Sequence, residues 1–223
     1  LFRSIEQTEK NGIKGLSGIA HTRWATHGAP EICNTHPHFS HDQIAVVHNG
    51  IIENYEPLRE ELKAKGYVFV SETDTEVIVH LVHSYYEGDL LEAVKKTVLR
   101  LKGAYGIAVS CKDEPDRVIG AKMSAPLVVA LGDKENFIAS DPLALAGVTD
   151  CYIYLEDGDV ADIRPTSAQI WNRLGDEFVE IQRPVSVVQG FTSGIALGPY
   201  THYMQKEIFE QPRVISDGLT GRI

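Results

Sequence analysis

The chain has 223 residues, 43% hydrophobic and 23% charged, with 31 acidic against 21 basic side chains and a net charge of −10. That length holds one sizeable domain or two small ones, and the acidic balance argues against nucleic acid or an anionic membrane surface as partner. No apolar run reaches the roughly 18 residues of a membrane span, and the first residues lack the apolar core of a signal peptide. Cys33, Cys111 and Cys151 are widely spaced and odd in number. They form neither a disulfide framework nor a zinc pattern, and a reducing, cytoplasmic setting follows.

In chain order, residues 1–11 read as the tail of a helix, broken by Gly12, Gly15 and Gly18. Those glycines lack the Lys-Ser/Thr ending of a phosphate loop and read as a connection. A strand is expected over residues 18–26 and a His- and Pro-rich loop over 27–42. Residues 43–48 are a short apolar run, hence a buried strand, and Asn49-Gly50 follows as a turn signal. Leu58 and Leu62 share one face of a predicted helix over 53–65, with Pro57 in its first turn and Gly66 ending it. Residues 67–70 predict a strand. Thr73 with Glu76 three residues on is a capping-box signature, ahead of Val77, Ile78, Leu81, Val82 and Tyr85 at helical spacing. A further helix is predicted over 90–101.

Beyond Gly103 the character changes. Strand-like runs cover 104–111, 117–122, 127–131, 137–140, 151–155, 160–163, 169–172 and 178–181, divided by turn formers such as Asp113-Glu114-Pro115-Asp116 and Glu156-Asp157-Gly158-Asp159. Several runs are continuously apolar, as in strands buried on both faces. Residues 183–200 read as a linker and 202–215 as a helix interrupted at Pro212. Two sheets with helices outside them fit this order. Three helices are too few to cover two sheets, so further elements are expected ahead of residue 1.

The chemistry concentrates in His21-Thr22-Arg23-Trp24-Ala25-Thr26-His27-Gly28, in His48-Asn49-Gly50 and in Ser71-Glu72-Thr73-Asp74-Thr75-Glu76. An arginine fork matches the two oxygens of an α-carboxylate, and Arg23 is the candidate. Asp74 is either the partner of an α-ammonium group or a helix cap. Thr26 and His27 either add hydrogen bonds or pack a loop. Asn49 beside the unhindered N–H of Gly50 is either an oxyanion-stabilising pair or a hairpin turn. Six histidines fall within residues 21–48, but no His-Glu-x-x-His pattern or Cys pairing accompanies them, so metal binding is the weaker reading.

Residues 21–28, 34–38, 48–54 and 71–77 resemble the glutaminase domain of the glutamine–fructose-6-phosphate aminotransferases, within the class II glutamine amidotransferases. The Thr-Arg-Trp-Ala-Thr-His-Gly run is specific to that group. Residues 202–208 and 219–223 resemble the start of the family's sugar-phosphate isomerase region. The resemblance implies an α+β fold, an N-terminal-nucleophile hydrolase-like four-layer αββα sandwich missing its first elements. It implies a glutaminase domain over residues 1–182, a linker over 183–200 and the beginning of the isomerase region over 201–223.

Glutamine would be hydrolysed and its ammonia passed to the isomerase domain, making glucosamine 6-phosphate from fructose 6-phosphate without a cofactor, in a cytoplasmic homodimer. By the same resemblance Arg23 would hold the substrate carboxylate and Asp74 its ammonium. Trp24, Thr26 and His27 would belong to a loop closing over glutamine, while Asn49 and the Gly50 N–H would form the oxyanion hole. Family members begin with a cysteine whose thiol attacks and whose α-amine is the base. Residue 1 here is Leu, and none of the three cysteines carries a free α-amine, so the 223-residue polypeptide itself is expected to be inactive. A catalytically dead amino-acid-binding module and a histidine-rich metal protein are the alternatives.

Overall fold

The computed structural model describes residues 15, 17–23, 28–188 and 197–219; the helix tail expected over residues 1–11 lies outside them. Two compact units divide after Val187.

In the first unit the apolar run after Gln43 becomes β2 (Ile44–Ile52), longer than its sequence pattern suggests. Ile44, Val46 and Ile52 are fully buried. β2 pairs with β1 (His38–Ser40) on one side and with β3 (Gly103–Cys111) on the other. β4 (Glu114–Met123), β8 (Asp159–Arg164), β9 (Ser167–Leu174) and β10 (Glu177–Ile181) complete a seven-stranded antiparallel sheet in the order β1-β2-β3-β4-β8-β9-β10. A second sheet has four strands in the order β11-β7-β5-β6: Ser186–Val187, Cys151–Tyr154, Val128–Leu131 and Asn136–Ala139.

Three helices cover the large sheet: α1 (Tyr55–Ala64), α2 (Thr75–Tyr85) and α3 (Leu90–Val98). On α1 the buried residues are Leu58 and Leu62, four apart on one face. α2 differs, since Val77, Ile78, Val79, Leu81 and Val82 are all fully buried. It lies against β1 and β2 with α1 and α3 beside it, and Thr75, Glu76 and His80 are buried as well, so its first two turns have no solvent face. A second apolar cluster of Leu127, Val129, Ile153, Ala161, Ile163 and Ile170 fills the space between the sheets. Gly120 of β4 permits that closeness, because a Cβ there would run into Ile138 of β6. The described residues thus supply helices, large sheet and small sheet of a layered α/β sandwich.

An ion network pins α3 to the sheet. Arg117 of β4 forks onto Asp162 of β8 through Nε at 2.9 Å and Nη2 at 2.7 Å, and Nη1 reaches Asp89 at 2.9 Å and Glu114 at 2.5 Å. Asp89 is also the N-cap of α3, accepting from the Leu91 N–H.

Several expectations change. Residues 18–23 form no strand, and Arg23 turns the chain with a φ of 51°; 24–26 lie outside the described residues. Residues 67–70 do alternate, with Tyr67 and Phe69 packed inward and Val68 and Val70 exposed, but they join no ladder. Their backbone is satisfied elsewhere: Tyr67 N–H donates to the Leu62 carbonyl and Val70 N–H to Glu76 Oε1. Glu76 reaches back past Thr73 to the N–H groups of Val70 and Ser71, both at 2.8 Å, so the expected capping box is displaced by two residues.

In the second unit α4 (Tyr203–Leu219) runs through Pro212 instead of being interrupted there. A proline deletes one intrahelical donor, and the bonds on either side carry the helix on.

Candidate functional site

Asn49 and Gly50 lie inside β2, opposite Gly106 and Tyr105 of β3. They are not a hairpin turn. Gly50 has a φ of +130°, and a Cβ would strike the Ala104 carbonyl, so only glycine brings the two strands together here. β1 ends its pairing at Val46, which leaves the rest of that edge of β2 without a strand neighbour among the described residues. Side chains take over. His48 N–H donates to His36 Nδ1 at 3.3 Å, and Ile52 N–H donates to Asp74 Oδ2 at 2.7 Å. Strand alternation assigns the Gly50 N–H, between these two, to the same edge.

Asp74 stands at the N-cap of α2 but its side chain makes no capping hydrogen bond; its carboxylate is turned to the end of β2. Arg23 approaches from the other direction. Its Nη1 donates to the Ala29 carbonyl at 3.1 Å and its Nη2 to the Gly28 carbonyl at 3.2 Å. The Arg23 N–H donates to His21 Nδ1 at 2.8 Å, and His21 Nε2 lies 2.6 Å from Asn49 Oδ1. Trp24, Thr26 and His27 lie outside the described residues.

The floor of this region is imidazole. His21 stacks on His36 with ring centroids 4.3 Å apart, and His36 meets His38 edge-on at 5.1 Å. His38 Nε2 bonds Thr73 Oγ1 and His48 Nδ1 bonds Thr75 Oγ1, both at 3.0 Å. Burial, reinforced by the charges of His21, His38, His48 and Arg23, lowers the His36 pKa to about 3. Burial brings His48 to about 4 against the opposing pull of Asp74. Both rings are therefore neutral near pH 7. Glu76 is lowered to about 2: burial opposes this, but His80 Nε2 at 3.6 Å and hydrogen bonds from the Ser71 hydroxyl and the Val70 and Ser71 N–H groups prevail. Among the described residues no group of three or more His, Cys, Asp or Glu side chains is arranged to hold a metal ion.

Arg23, Asp74, Asn49 and Gly50 thus gather about one histidine cluster at the open edge of β2. Sequence reasoning assigned no role to His21, or to Asn34 and Glu72. Fully buried Asn34 holds the Ala29 carbonyl and the Glu72 N–H, and Glu72 in turn accepts from the Ala29 N–H at 3.2 Å. These two residues fix the 28–29 loop that carries the carbonyls on Arg23. The signal available beforehand was the density of small polar and acidic residues in 71–76, most of which prove buried.

The layered fold is shared with solved amidotransferases of the N-terminal-nucleophile class. The B. subtilis glutamine phosphoribosylpyrophosphate amidotransferase complexed with ADP and GMP aligns at 26% identity and a TM-score of 0.57, over 67% of this chain and 33% of that one. A structure described as the allosteric regulatory enzyme of purine biosynthesis aligns at 25% identity and 0.51, over 60% of this chain and 30% of that one. Residues 23–147 match the family model of the glutamine amidotransferase domain, and the chain belongs to that family.

Among its relatives are proteins named glutamine–fructose-6-phosphate aminotransferase [isomerizing]. That of Bordetella pertussis is 57% identical over 96% of this chain and 35% of its own length. Those of Pseudomonas aeruginosa and Escherichia coli K12 are 54% and 53% identical over 95% and 98% of this chain, and 34% and 36% of their own lengths. The chain spans about a third of the length of these relatives.

Proposed function

We propose that this domain binds glutamine and serves as the glutaminase part of a glutamine–fructose-6-phosphate aminotransferase, releasing ammonia for transfer to the sugar phosphate in a second domain. The observation that carries this reading is that the Asp74 carboxylate meets the end of β2 three residues from Asn49, whose amide is joined through His21 to the backbone of Arg23. Arg23 would bind the α-carboxylate by its fork, and Asp74 would bind the α-ammonium. Asn49 Nδ2 and the Gly50 N–H would stabilise the oxyanion formed when the side-chain amide is attacked. Trp24, Thr26 and His27 would close over the bound amino acid. Residues 1–182 would form the glutaminase domain, 183–200 a linker and 201–223 the start of the isomerase region. A cytoplasmic homodimer belongs to the same proposal.

In that chemistry the nucleophile and the base are the thiol and α-amine of an N-terminal cysteine. Glutamine turnover is accordingly to be measured in the full-length gene product. There, Arg23→Lys replaces a planar fork by a point charge and should lower kcat/KM for glutamine at least about tenfold, the equivalent of roughly 1.4 kcal/mol. An unchanged value would make Arg23 a scaffold for the 28–29 loop and nothing more.

A further inference from the structure

On the reading that Asn49 supplies an oxyanion donor, we infer that His21 is the positioning residue that decides which end of the Asn49 amide faces the substrate. A side-chain amide is ambiguous. Turned by half a rotation it offers an oxygen, and an oxygen aimed at a developing oxyanion repels it. Something must fix the orientation, and neither strand pairing nor packing distinguishes O from NH2.

His21 does so through its tautomer. The Arg23 backbone N–H can only donate, so His21 Nδ1, at 2.8 Å, must accept. The neutral ring then carries its proton on Nε2, and Nε2 can only donate. Its partner 2.6 Å away is the oxygen of Asn49, and the NH2 is thereby turned to the other side. The ring itself is kept in plane by its stack on His36, whose Nδ1 accepts from His48 N–H. One backbone donor thus sets the roles of two ring nitrogens, and through them the amide. It also couples two subsites: the same ring accepts from the backbone of Arg23 and donates to Asn49, so the carboxylate-binding arginine and the oxyanion-binding amide share one support.

Two substitutions separate the donor from the ring. His21→Phe keeps a flat ring for the His36 stack and removes both nitrogens. His21→Gln places an amide NH2 near the position of Nε2 and can still donate to Asn49. In the full-length gene product, His21→Phe should lower kcat for glutamine hydrolysis on the order of tenfold to a hundredfold, since the amide interaction lost is realised in the transition state, and should also raise KM, since the Arg23 N–H loses its acceptor. His21→Gln should recover most of the loss in kcat. A His21→Phe protein with unchanged kcat, or a His21→Gln protein as impaired as His21→Phe, overturns the inference while leaving the glutaminase reading intact.

Ring ¹⁵N shifts of His21 give a readout that needs no activity and no variant. The expected state is the neutral Nε2–H tautomer, and an Nδ1–H tautomer overturns the inference. If the wild-type protein turns over no glutamine, the glutaminase reading fails, and the tautomer alone then decides the positioning contact.

Discussion

On the proposed reading Asn49 has two jobs that substitution can separate. As a strand residue opposite Gly106 it needs only its backbone. As the proposed oxyanion donor it needs its amide. Asn49→Ala in the full-length gene product should therefore lower kcat by roughly 10²–10³ while leaving glutamine binding and the melting temperature nearly unchanged. A drop in melting temperature without a drop in kcat would remove the side chain from the mechanism. Gly50→Ala should act differently. The new methyl group meets the Ala104 carbonyl at a φ of +130°, and the strain should cost about 1–3 kcal/mol of stability, read as a lower urea midpoint. Asn49-Gly50 was legible in the sequence as a special pair but not as part of a strand. The dipeptide carries a strong turn signal, and the apposition of Ala104, which forces the glycine, comes from residues far along the chain. Arg23 and Asp74 were legible from their chemistry as candidates for an α-carboxylate and an α-ammonium group, the latter with a helix cap as its alternative. His21 was not, since a histidine's tautomer is set by neighbours that sequence does not reveal.

Between elements, the Arg117 network is the most exposed to a single change. Arg117 and Asp162 are 7% and 4% accessible, so Arg117→Met leaves a buried carboxylate with the longer, 3.6 Å contact to Arg164 in place of its fork. Removing one partner of such a pair costs about 3–5 kcal/mol, and hydrogen exchange should show α3 loosening before the core of β2 and β3. Equal protection in both would mean that α3 is held by its apolar face alone. In α2, Leu81 is fully buried, and Leu81→Ala opens a cavity that should cost about 2–5 kcal/mol. Most strands were legible because alternation or continuous apolar runs coincide with ladders, as in residues 104–111 against observed Gly103–Cys111. The misreading of residues 67–70 is instructive. Their alternation is real, yet Glu76 and the Leu62 carbonyl satisfy their backbone groups, and periodicity reports burial without reporting pairing.

For the molecule as a whole, the buried imidazoles set a dependence on pH. Burial holds His36 near 3 and His48 near 4, both below the ordinary 6.5. Below about pH 6.5 the unfolded chain takes up protons that the folded protein refuses, so stability is complete above that value and falls toward pH 4. Each such histidine contributes at most about 1.4 kcal/mol per pH unit. Glu76, held near 2 against an ordinary 4.5, adds stability above about pH 4.5 that is lost as its folded carboxylate protonates. The urea midpoint should thus decline steadily from pH 7 to 4. A flat profile over that interval would mean that water reaches the cluster and lets it titrate normally.

The carboxylate of Asp74 ends β2 by accepting from Ile52 while standing where the proposed substrate ammonium would lie. A library that randomises this position to broaden amino-acid selectivity would discard variants that fail to fold together with those that fail to bind, and the two would look alike in a screen. Diversification would do better to leave Asp74 alone.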